Sequence, residues 1–88
     1  MTGHVLIVDD EELYRQLLTT RLGRVGHTLS EAADGEAALE IARGATIDLA
    51  LVDIKMPGMD GLELLSRLKA IDPRTEVVIL TGHANVDS

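Results

Sequence analysis

Apolar residues fall along this chain in two alternating patterns: short unbroken runs, and longer stretches in which they recur every three or four positions. "HVLIV" (His4–Val8) is of the first kind, β-branched and apolar throughout, as expected of a strand buried on both faces. Asp9, Asp10, Glu11 and Glu12 follow it. Leu13, Leu17, Leu18, Leu22 and Val25 then recur at helical spacing, with Arg15, Gln16, Thr19 and Arg24 between them. That pattern predicts an amphipathic helix with an acidic start that suits the helix dipole, and with Gly26 as its stop. "HTLSEA" (His27–Ala32) is polar enough to be an edge strand.

Asp34-Gly35 marks a turn in which Asp34 caps the next helix, "EAALEIA" (Glu36–Ala42), which Gly44 ends. "IDLALVD" (Ile47–Asp53) is a second buried strand, and "KMPGM" (Lys55–Met59) is a loop. Asp60 stands three residues before Glu63, the capping-box spacing. Leu62, Leu65 and Leu68 then line one face of a helix that Ile71 ends. "DPRTE" (Asp72–Glu76) is a turn, and "VVIL" (Val77–Leu80) is a third apolar strand. "TGHANVDS" (Thr81–Ser88) leaves it as a loop or the start of a helix.

The order is β-α-β-α-β-α-β, without repeats or a linker. Strands alternating with helices imply a doubly wound parallel sheet with right-handed crossovers. Ligands in such sheets sit beyond the carboxyl ends of the strands, where the strand order reverses. Asp9 and Asp10 close the first strand, Asp53 closes the third, and Thr81 follows the fourth. A sheet order of 2-1-3-4 brings all of them to one rim.

Three carboxylates on one rim repel, at about 4 kcal/mol per pair for a separation near 4 Å and an effective dielectric near 20. A divalent cation removes that penalty, and oxygen donors without cysteine favour Mg2+ over zinc or copper. A carboxylate beside such a cation is a competent nucleophile toward phosphorus. A hydroxyl such as Thr81 is then placed to hydrogen-bond the phosphoryl group.

Composition narrows the field further. The chain has 88 residues, enough for one small domain, and 45% of them are hydrophobic. Its net charge of −7 disfavours direct contact with nucleic acid or anionic membranes. Tyr14 is the only aromatic residue, so base stacking has little to work with. There is no cysteine, which excludes disulfides and thiolate chemistry. No apolar run approaches the ~20 residues of a membrane span. "MTGHVLIVDD" does not read as a signal peptide, so a cytoplasmic location is expected.

"VLIVDDEE", "ALVDIKMPGMDGLELL" and "VVILTGHA" together resemble the first, third and fourth strand motifs of response-regulator receiver domains. The resemblance covers essentially the whole chain and implies a flavodoxin-like fold. It implies that Asp53 is the phosphoacceptor, Asp10 the direct Mg2+ ligand, and Asp9 an acid acting largely through water. It implies further that Lys55 supplies a backbone carbonyl to the metal and that Thr81 is the switch hydroxyl. The partners it implies are a histidine kinase or phosphotransfer protein, and an output domain outside this chain. Receivers continue through a fourth helix, a fifth strand that precedes a phosphoryl-pairing Lys, and a fifth helix. Residues 1–88 are therefore read as a receiver domain incomplete at its C-terminus.

Blander readings compete. Asp9 and Asp10 alone would be helix-capping acids, Met56 and Met59 packing residues, and Pro57, Gly58 and Gly61 backbone devices of the loop. His4, His27 and His83 are scattered and are not read as ligands, although His83 lies two residues after Thr81. A second function class is a phosphorylation-impaired receiver that self-associates as a homodimer or higher assembly, because "VVIL" would be an open sheet edge. An aspartyl-phosphate hydrolase ranks lower. Those enzymes carry a second Asp two residues after the first, where Lys55 stands here.

Overall fold

The chain is described by a computed structural model covering residues 3–80. Seven elements alternate: β1 (His4–Val8), α1 (Glu12–Gly23), β2 (Thr28–Ala32), α2 (Gly35–Gly44), β3 (Leu49–Asp53), α3 (Gly61–Ile71) and β4 (Glu76–Leu80). All strand pairs are parallel and the order is β2-β1-β3-β4, the expected doubly wound sheet. Its order reverses between β1 and β3, which opens the crevice beyond their carboxyl ends.

Register assigns each strand residue to a face. Leu6, Ala50 and Val77 share one row, and Val8, Ala32, Val52 and Ile79 share the row two residues on. These rows pack against α2 and α3. Leu6, Val8, Ala50 and Val52 form one cluster with Ala38 and Leu39 of α2 and Leu64 and Leu68 of α3. Met56 and Ile47 complete it from the loops. The opposite face carries Val5, Leu29 and Leu49 in one row and Ile7, Leu51 and Val78 in another. Here α1 lies over β1 and β2.

Two helices differ from expectation. In α3 the buried stripe is Gly61, Leu64 and Leu68, whereas Leu62 is 59% exposed. The cause is Gly61, whose Cα faces the β3 backbone so closely that a Cβ would meet the Asp53 carbonyl oxygen at 2.6 Å. That contact fixes the rotation of the helix and turns Leu62 outward. In α1 no residue is buried, and the helix ends at Gly23 rather than at Gly26. Val25 and Gly26 donate their N–H groups to the carbonyls of Leu22 and Gly23, tightening the last turn. Gly26, at φ 89°, then redirects the chain toward β2.

The caps behave as the sequence suggests. Asp34 accepts the Ala37 N–H at 2.8 Å and Asp60 accepts the Glu63 N–H at 2.9 Å. The carboxylate of Glu63 turns instead to Arg67, at 2.8 Å. The reading of Thr81–Ser88 as a loop or helix start falls outside the described residues.

Candidate functional site

The crevice at the carboxyl ends of β1 and β3 is where the acids meet. Asp9 is only 2% exposed. Its N–H donates to the Ala32 carbonyl at 3.1 Å, extending the β1–β2 ladder by one residue. Its carboxylate Oδ1 accepts the Glu11 N–H at 2.9 Å. Asp9 therefore ties the turn before α1 without capping the helix, whose N-cap is Glu11 and carries no side-chain cap hydrogen bond. Asp10, next along the turn, is exposed.

Asp53 closes β3 and is 5% exposed. Leu80 is its register partner on β4, and the Ile54 N–H donates to the Leu80 carbonyl at 3.1 Å. Asp53 Oδ1 accepts the Lys55 N–H at 3.3 Å, so the loop folds back over the strand end. Gly58, at φ 78°, permits the turn, and the Gly61 N–H returns to the Ile54 carbonyl at 3.1 Å. Met56 enters the core and Met59 packs against it, which confirms both as packing residues.

One carboxylate oxygen from each of Asp9, Asp10 and Asp53 lies within 4.8 Å of the others. At such a separation each like-charge pair costs about 3 kcal/mol for an effective dielectric near 20, less where Asp10 meets water. Only the Asp9–Asp53 pair has both members buried, and water screens the two pairs that include Asp10. Hard oxygen donors converging on one point fit a divalent cation, which would be held by the three carboxylates. The histidines of the described residues lie elsewhere. His4 opens β1 and shares a 2.7 Å hydrogen bond with the Ser30 hydroxyl, and His27 Nδ1 accepts the Gly3 N–H.

Of the candidate residues, the structure brings together Asp9, Asp10 and Asp53 and places Lys55 two residues beyond. Thr81 and His83 lie outside the described residues. A contributor that the sequence reading left in the polar face of α1 is Arg15. Its guanidinium Nη1 donates to the Asp9 carbonyl at 2.7 Å. A contact to a backbone oxygen leaves no trace in residue types, and no spacing pattern would have found it.

The response regulator receiver domain family matches residues 5–88, and the chain belongs to that family. It is a receiver domain of two-component signal transduction. It is 41% identical over 87 residues to sporulation initiation phosphotransferase F of Bacillus subtilis, covering 99% of this chain and 70% of that protein. In several longer relatives it matches 9% to 24% of the length. The response regulator TrrA of Thermotoga maritima, solved in complex with Mg2+-BeF, superposes with a TM-score of 0.83 at 31% identity. That match covers 97% of this chain and 76% of TrrA. A complex of the histidine kinase ThkA with TrrA matches with a TM-score of 0.84 at 33% identity, over 92% of this chain and 70% of the matched one.

Proposed function

We propose that Asp53 accepts a phosphoryl group from a phosphohistidine, with Mg2+ held by Asp9, Asp10, Asp53 and the Lys55 carbonyl. The observation that carries this reading is the convergence of three carboxylates at the carboxyl ends of β1 and β3. A carboxylate oxygen of Asp53 attacks phosphorus as the P–N bond breaks, its electron pair staying on the ring nitrogen. The Lys55 N–H steadies the carboxylate at Oδ1. Burial of Asp53 limits the water that would compete for phosphorus. A bound divalent cation supplies charge neutralisation for the phosphoryl oxygens. The Thr81 hydroxyl then hydrogen-bonds the phosphoryl group carried by Asp53.

The chain so read is a phosphoacceptor switch rather than a turnover enzyme. Its donor is a histidine kinase or phosphotransfer protein, its signal passes to an output domain or partner, and its location is the cytoplasm. TrrA, solved both with the histidine kinase ThkA and with Mg2+-BeF, supports the kinase donor and the divalent cation. Among the described residues, no helix is long and apolar enough to cross a membrane.

The experiment is intact mass after incubation with a small phosphodonor and Mg2+, with Asp53→Asn beside it. A single phosphoryl adduct, lost in the variant and in chelator, is expected. An adduct on both proteins would place the acceptor elsewhere. Self-association is a separate expectation. Among the described residues β4 pairs on one side only, with β3, and Val78 is 44% exposed. A dimeric mass by light scattering at high concentration would support it, and a monomeric mass would remove it.

A further inference from the structure

One guanidinium ties three elements together behind the acidic rim. Arg15 sits in the first turns of α1, with its side chain only 14% exposed. Its Nη1 donates to the Asp9 carbonyl at 2.7 Å, and its Nε donates to Glu31 Oε1 at 3.2 Å. Glu31 lies one residue from the end of β2, in register with Ile7 of β1. The Asp9 unit is thereby gripped on every side. Its N–H is held by Ala32, its carboxylate by the Glu11 N–H and its carbonyl by Arg15. Charge-assisted contacts of this length are the stronger kind. They matter here because α1 buries no residue of its own to hold it in place.

We propose that Arg15 is a positioning residue for the cation site. Anchored by Glu31, it presets the turn between β1 and α1 so that the Asp9 and Asp10 carboxylates stay within reach of Asp53. The proposal rests on the divalent-cation reading of those three acids.

Its sign separates it from a simple charge effect. Removing a positive side chain near three acids makes the site more negative, and Coulomb's law alone then predicts tighter cation binding. A clamp predicts the opposite. Loss of an outer partner of a ligating residue weakens metal affinity, typically by about 10-fold or more.

The test is Mg2+ titration of the whole chain, followed by calorimetry, for the parent, Arg15→Gln and Arg15→Lys. Each is first shown to be folded by circular dichroism. The expected result is binding by the parent, about 10-fold weaker binding by Arg15→Gln, and only partial rescue by Arg15→Lys. Lysine keeps the charge but cannot fork to both acceptors. Unchanged or tighter binding by Arg15→Gln would overturn the proposal while leaving the cation site intact. Arg15→Lys binding as the parent does would overturn it too, since charge would then suffice. That variant carries the test alone if Arg15→Gln does not fold. A parent that binds no Mg2+ would overturn both the cation-site reading and this inference.

Discussion

The two faces of the sheet are held in different ways. Beneath α2 and α3, Leu6, Val8, Ala50 and Val52 are sealed against Leu39, Leu64 and Leu68, with small Ala32, Ala38 and Ala42 letting the layers close. On the other face Val5 and Ile7 are covered, yet no residue of α1 is buried, and Leu13 and Leu17 are 79% and 47% exposed. There the helix is tied by Arg15 to the ends of β1 and β2. One side is sealed by fully buried side chains, and the other combines half-buried Leu18 and Leu22 with the Arg15 contacts. The acidic rim lies where the two meet, with Asp53 backed by Gly61 of α3 and Asp9 backed by Arg15 of α1.

Substitutions on the two faces should therefore differ sharply in cost. Leu64→Ala removes a fully buried side chain from the α2–α3 face. A loss of about 2–5 kcal/mol is expected in denaturant unfolding. A loss below 1 kcal/mol would mean that this face is not the stabilising one. Gly61→Ala pushes a methyl group against the Asp53 and Ile54 backbone. It should cost about 1–3 kcal/mol, as overpacking does, and the chemical shifts around Asp53 should move with it. Leu13→Ala, on the α1 side, should stay within about 0.5 kcal/mol of the parent, as exposed substitutions do. A large loss there would show that α1 is held by packing after all.

The smallest effect concerns the turn before β4. Hydrogen bonds from Arg74, two from its side chain and one from its backbone N–H, lower the Asp72 pKa below its ordinary 3.8. A carboxyl depressed by folding stabilises the protein fully above that ordinary value and loses the contribution as pH falls through the folded value. Asp72→Asn should therefore lower stability slightly near neutrality, leave it unchanged well below the folded pKa, and so flatten its fall below pH ~4. Its partner Arg74 is largely exposed, so water screens the pair and a steep change would need another cause.

How much of this could be read from the residues alone follows from the same contrast. β1, β3 and β4 are legible as short apolar runs closed by polar or turn residues, β2 only as a polar edge strand between turns, and the parallel order follows from the alternation with helices. The rim followed in turn, since Asp9, Asp10 and Asp53 all sit at strand ends. The face of α3 was not legible. Leu62, Leu65 and Leu68 recur at helical spacing as well as Gly61, Leu64 and Leu68 do, and only the approach of Gly61 to β3 decides between them. The limit of α1 was misplaced because Val25 continues the apolar pattern beyond the helix, where it is 63% exposed. Arg15 was invisible because one of its partners is a carbonyl and the other lies sixteen residues away.

The central claim is that three like charges are held together for a cation to bind. Thermal unfolding in chelator and in rising Mg2+ tests it most directly, comparing the parent with Asp10→Asn. Neutralising one acid should stabilise the protein in chelator, because a repulsion is gone. Rising Mg2+ should then stabilise the parent by mass action and the variant far less. A variant less stable than the parent in chelator, or equal responses of the two to Mg2+, would contradict the account.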